Sequence, residues 1–145
     1  MPDAFAYFDA KLSHETDPSD VSAAQRAGDD LLLVDVRGVD AWRQGRARGA
    51  VHMPHQEIAA RAPLEIPRDR EVVVYCWSPG CNGGARGARE FARLGYRVRE
   101  MIGGFEYWAR EGLPVVGDDG ALPRRFDPLV MVVRETAGAA STVTP

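Results

Sequence analysis

The sequence predicts an α/β fold in which helices cover both faces of a central parallel sheet. Three observations carry this. Apolar runs at residues 31–34 and 72–76 are short and continuous, the pattern of strands buried on both sides. Stretches of helical period separate such runs, so strand and helix alternate and the strands must run parallel. With 145 residues, 45% of them hydrophobic and 27% charged, the chain suits one core rather than two.

Residues 1–17 read as an N-terminal arm with helical character around 4–12. Pro18 opens a short helix, which Asp17 is placed to cap and Gly28 to end. A strand at 31–36 precedes a helical stretch at 39–44, a brief strand at 49–54 and a helix at 56–62. Residues 71–76, β-branched and entered from a polar turn at 67–70, form the clearest strand. A loop rich in Gly and Pro follows at 77–84 and leads into a helix at 85–94. Ala85, Ala88, Phe91 and Ala92 share one face of that helix, and Arg86, Arg89 and Arg93 the other. A last strand at 97–102, a turn at Gly103 and Gly104, and a helix at 105–111 stopped by Gly112 and Pro114 complete the alternation. The expected organisation is an arm (1–17), one domain (18–117) and a partly disordered C-terminal extension (118–145). In that extension 129–133 reads as an added edge strand and 137–145 as a disordered tail.

Composition narrows the function. A formal charge of −3 argues against a nucleic-acid partner. No apolar run approaches the roughly 20 residues that span a bilayer, and the N-terminus lacks the apolar centre of a signal peptide. A cytoplasmic location without membrane contact is the expectation. Lys11 is the single lysine, which points to a nucleotide bias in the source rather than to function. Two cysteines in such a chain suit redox, nucleophilic or metal-binding work better than a disulfide framework.

Ligands of an open parallel sheet bind beyond the carboxyl ends of its strands, and Cys76 stands at such an end. Trp77, Ser78, Gly80, Cys81, Asn82, Gly83, Gly84 and Arg86 follow as a candidate binding loop and helix start. The glycines allow close backbone approach, so Gly83 or Gly84 is expected to take a positive φ or to abut the site. Inward amides and the helix dipole favour an anion: a thiolate, a persulfide or an oxyanion. The same field favours the reactive thiolate, so one loop thiol should titrate below a free one. If both thiols react, Cys76 and Cys81 can close a reversible disulfide after sulfur is delivered. Asp35 and Arg37 read as a charge pair supporting the loop, and Arg86 as mainly solvated. Trp77 either covers the core edge or walls the pocket, and Trp108 reads as core. His52 and His55 are spaced poorly for a zinc site with the cysteines, so neither metal nor cofactor is expected.

The chain resembles the rhodanese-like family. Leu33-Val-Asp-Val-Arg37, with Gly45 to Ala50 and Met53-Pro54, is similar to the family's first signature. Val73-Val-Tyr-Cys76 looks like the strand entering its active-site loop, and Gly103-Gly-Phe-Glu-Tyr-Trp108 with Glu111-Gly-Leu-Pro-Val115 like its C-terminal signature. The likeness spans about residues 18–116. It implies a three-layer fold and a cysteine that takes sulfur from a donor, carries it as a persulfide and passes it on. The partners so implied are a small sulfur donor and a thiol acceptor or acceptor protein, with the oligomeric state open and a dimer included. The chain also departs from the pattern. Five residues after Cys76 the family usually has Arg and this chain has Cys81; the segment to Gly95 is about two residues longer; and Arg46 replaces a common His.

Two other readings compete with a sulfurtransferase. One is a non-catalytic module that binds a partner or senses redox state. The other is a phosphatase or arsenate reductase, for which Cys81 with Arg86 five residues on supplies a nucleophile and an oxyanion-binding group. On position, Cys76 is favoured as the sulfur carrier, with Cys81 as resolving or assisting thiol.

Overall fold

A computed structural model describes residues 3–132. The chain runs through α1 (Ala4–His14), β1 (Glu15–Thr16), α2 (Pro18–Ala27), β2 (Leu31–Asp35), α3 (Val39–Gln44) and β3 (Arg46–Ala47). It continues with β4 (Val51–His52), a 3₁₀ turn (His55–Glu57), α4 (Ile58–Glu65), β5 (Glu71–Tyr75), α5 (Gly83–Arg93) and β6 (Val98–Met101). The last elements are α6 (Gly104–Arg110) and a hairpin of β7 (Val115–Gly117) and β8 (Gly120–Ala121). The main sheet is entirely parallel, in the order β1-β6-β5-β2-β4. The α/β class and the central parallel sheet are therefore as the sequence predicts.

Strand alternation divides the apolar residues between two cores. Val34, Val36, Val72, Val74 and Cys76 pack with Ile58 and Ala62 of α4 and Phe91 of α5. Leu33, Val73 and Tyr75 pack on the opposite face with Val21 of α2 and Trp108 of α6. Helices on both sides explain why the strand runs show no polar face. Caps set the ends of α2. Asp17 accepts from the Asp20 amide at 2.9 Å, and Gly28 closes the helix in the left-handed region.

Several elements differ from expectation, each for a local reason. Glu15–Thr16 joins the sheet as an edge strand on β6, although two residues carry no readable period. A second, antiparallel sheet of β3, β7 and β8 draws the segment after Pro114 back onto the fold. The brief strand expected at 49–54 is confined to Val51–His52, and the helix expected at 56–62 divides into the 3₁₀ turn and α4. The expected apolar face of α5 shifts: Gly83, Gly84, Gly87 and Phe91 are buried, while Ala85 and Ala92 are exposed on a groove shared with α1. A β-carbon at position 87 would come within 2.9 Å of Val36 Cγ1, so at this point the helix approaches the sheet through glycine rather than alanine. Residues 129–132 form a turn and irregular chain instead of a strand; Val133 and the expected tail at 137–145 lie outside the described residues. No helix among the described residues is long and apolar enough to cross a membrane.

Candidate functional site

Chain order in the sheet reverses between β2 and β5, the kind of position beyond whose strand ends open parallel sheets bind ligands. Cys76 follows β5 at that point and, by strand alternation, faces α5. The loop turns at Ser78–Cys81, where the Cys81 amide donates to the Ser78 carbonyl at 3.0 Å. That turn brings the second cysteine back onto the first. Cys76 and Cys81 form a disulfide with their Cα atoms 6.5 Å apart. The Gly83 amide donates to Cys81 Sγ at 3.4 Å.

Gly83 and Gly84 belong to the first turn of α5 rather than to the loop, and neither has a positive φ. Close approach is what requires them. A β-carbon at position 83 would stand 2.6 Å from Cys76 Sγ and 3.4 Å from Cys81 Sγ; one at position 84 would stand 2.6 Å from Glu100 Oε2. Both sulfurs and one carboxyl thus crowd two consecutive glycines. From the other side, α6 clamps the loop: the Phe105 amide donates to the Cys76 carbonyl and the Glu106 amide to the Trp77 carbonyl, both at 2.8 Å. Gly104 makes this possible with φ 64° and a missing β-carbon that would lie 2.7 Å from the Cys76 carbonyl oxygen.

Behind the loop lies a buried polar cluster. Arg37 and Asp35 form an ion pair, with Arg37 Nη2 donating to Asp35 Oδ2 at 2.7 Å and to the Gly45 carbonyl at 2.6 Å. The Tyr75 hydroxyl donates to Asp35 Oδ2 at 2.6 Å and accepts from the Ala47 amide at 3.1 Å. Burial, followed by the Asp35 charge, pushes that hydroxyl well above the ordinary tyrosine range. The guanidinium lies over both the Trp77 and the Phe105 rings, 4.4 Å from each ring centre, and the two rings meet edge to face. Trp77, 42% exposed, therefore sits against Arg37, and no part of it lines the cleft beside the cysteines. His52 Nε2 donates to the Arg37 carbonyl at 2.7 Å while its ring stacks on Trp42. His55 lies in the 3₁₀ turn. Among the described residues no group of three or more His, Cys, Asp or Glu is placed to hold a metal.

The cleft beside the disulfide measures about 270 Å³ and is lined by Cys76, Ser78, Cys81, Lys11, Glu15 and Glu100, with the Gly103–Gly104 backbone at one edge. Of the expected loop residues, Ser78 joins the two cysteines there. Gly80 is exposed on the turn, and Asn82 accepts from Arg86 Nε at 3.1 Å on the exposed side of α5. Arg86 does not line the cleft, and Lys11, the one cation among the described residues that does, is paired with Glu15 at 2.7 Å. Among the described residues no arginine of the oxyanion-binding kind that a phosphatase or arsenate reductase would need is part of this lining. Glu100 was missed by sequence reasoning; the available signal was an acid inside the strand Val98–Met101, beside Val74 on one side and Glu15 on the other. Burial first, and then the Glu15 charge, raises the Glu100 carboxyl above its ordinary value, against the opposing effect of Lys11.

Comparison with known proteins bears on the fold. The family model described as rhodanese-like domain matches residues 17–111. A sulfurtransferase from Allochromatium vinosum is 40% identical over 113 residues, covering 75% of this chain and 100% of that protein. A thiosulfate sulfurtransferase from Actinobacillus succinogenes is 34% identical over 97 residues, covering 66% of this chain and 84% of its own length. Among solved structures, a protein from Bacillus halodurans superposes with a TM-score of 0.75 at 31% identity, over 95% of this chain and 96% of that one.

Proposed function

The chain belongs to the rhodanese-like family, and on that premise we propose that it moves sulfane sulfur from a persulfide donor to a thiol acceptor through a persulfide on Cys76. The observation that supports this reading is the seating of Cys76 Sγ against the start of α5, where only glycine fits between sulfur and helix. The dipole of an 11-residue helix, together with its free amides, stabilises a thiolate or persulfide anion at that point. Thiolate Cys76 attacks the terminal sulfur of the donor, the donor thiolate leaves, and the terminal sulfur remains on Cys76. An acceptor thiolate then takes that outer sulfur and returns Cys76 to the thiolate.

The charge of the cleft favours a persulfide over thiosulfate as donor. A dianion would meet Glu15 and Glu100, with the lysine charge already engaged by Glu15. The reaction is proposed for the reduced protein, since the disulfide must open before Cys76 can act.

Mass measurement on reduced, desalted protein tests the reading. With an alkyl persulfide donor, the Cys81→Ser protein gains one sulfur atom, which cyanide removes, and the Cys76→Ser protein gains none. Sulfur held by Cys76→Ser but not by Cys81→Ser would reverse the assignment of the two thiols. No gain in any form, with or without thiosulfate, would leave a binding or sensing module.

A further inference from the structure

We propose that Cys81 makes the protein a sulfane-sulfur reductase: it attacks the Cys76 persulfide at its inner sulfur, expels hydrosulfide and leaves the Cys76–Cys81 disulfide. This rests on the persulfide reading above and adds a second fate for the same sulfur.

A persulfide has two electrophilic sulfurs, and which is attacked decides the product. Attack on the outer sulfur transfers it; attack on the inner sulfur releases it. The inner sulfur would be Cys76 Sγ, in a residue only 8% exposed and walled by Gly83, Val74 and the core under α5. External thiols therefore reach the outer sulfur more easily. One thiol is already at the inner one, because the Ser78–Cys81 turn returns Cys81 to Cys76 and the two sulfurs pair in the structure. Cys81 is also the more exposed of the two and receives the Gly83 amide at 3.4 Å, next to the helix start. Those features stabilise Cys81 as the attacking thiolate.

The step balances without a further reactant. Neutral Cys76 persulfide and Cys81 thiolate give the disulfide and hydrosulfide: the Cys81–Cys76 sulfur bond forms, the bond to the outer sulfur breaks, and the proton leaves with that sulfur. The sulfane sulfur is reduced by two electrons, and the two cysteines are oxidised by two. Turnover then requires a dithiol reductant to reopen the disulfide, so the class of reaction that follows this one is thiol–disulfide exchange with a reduced dithiol protein or small dithiol.

A single-turnover experiment decides it. Reduced, desalted protein receives one equivalent of an alkyl persulfide with no other thiol present, and sulfide and protein mass are followed, with the Cys76→Ser/Cys81→Ser double variant as background. The expected result is one sulfide released per chain and a mass two hydrogens below the reduced form. The Cys81→Ser protein is expected to hold the added sulfur and to release sulfide only after a dithiol is added. Wild-type protein that retains the extra sulfur and releases none would overturn the relay while leaving the persulfide reading intact. If neither protein ever gains sulfur or releases sulfide, the persulfide reading fails first and the relay with it. Sulfide release by Cys81→Ser equal to that of wild type would also overturn the relay.

Discussion

Tyr75 and Cys76 are neighbours in sequence and are both enclosed, at 0% and 8% exposure, yet strand alternation sends them into opposite surroundings. On the Tyr75 side, hydroxyl, carboxylate, guanidinium and the Ala47 amide form one bonded cluster behind the Trp77 and Phe105 rings. On the Cys76 side the walls are glycine, the neighbouring acid is raised in pKa, and a cleft opens to solvent. One side fixes the strand end in space; the other leaves room for a sulfur atom to arrive and depart. The contrast teaches that the rigid cluster and the proposed reactive sulfur are separated by one residue, so substitutions on the two faces should have different signatures.

The largest effect is expected at the ion pair. Asp35→Ala leaves Arg37 buried without its partner, which should cost about 3–5 kcal/mol. A urea titration measures it, and a loss below about 1 kcal/mol would mean that the buried cluster does not hold the strand end. Gly104→Ala comes next. It places a side chain at positive φ and a β-carbon against the Cys76 carbonyl, for about 1–3 kcal/mol and a displaced loop. Both stability and sulfur loading should fall in that variant. Gly83→Ala separates the two readouts. Its φ is ordinary, so backbone strain is absent, but its β-carbon meets Cys76 Sγ. Sulfur loading should drop roughly a hundredfold, the scale of a misplacement near 1 Å, while the urea midpoint moves much less than for Gly104→Ala. Equal loading by Gly83→Ala and wild type would show that the glycine seat has no part in the chemistry.

The sequence makes the alternation of elements legible because continuous β-branched runs and capped helices are strong local signals. It therefore shows the parallel sheet, the strand ending at Cys76 and the helix behind it. Two-residue strands such as Glu15–Thr16 and Arg46–Ala47 leave no such signal, since they exist only through their partners. The site divides along the same line. Cys76, Cys81 and the glycines are local and legible, and so is the Asp35–Arg37 pair, two residues apart on one strand end. The direction of Trp77 depends on Phe105 and Arg37, and the cleft depends on Glu100 and Glu15 from other strands. Helical period also put Ala85 and Ala92 on the buried face of α5; the helix lies so near the sheet that its glycines make the contact instead.

The smallest predicted effect probes the cleft side through Glu100. Burial raises its folded-state pKa above that of the unfolded chain, and the Glu15 charge adds to this while Lys11 opposes it. A carboxyl raised in the fold stabilises it fully below the unfolded pKa, and that contribution is lost as pH rises through the folded pKa. Glu111 is raised in the same direction, chiefly by burial, so wild-type stability contains both slopes. Glu100→Gln removes only one of them. The groups facing Glu100 are Lys11, His14, Glu15 and Arg89 across the groove and the cysteine pair in the cleft, and all remain in that variant. The variant's melting temperature, measured against wild type from acid to neutral pH, should therefore gain on wild type as pH rises, by a few degrees at most for one half-buried group. A difference that stays flat across this range, or that shrinks with rising pH, would mean that the carboxylate is stabilised by its neighbours and that the cleft is not the acid-disfavouring side of the loop.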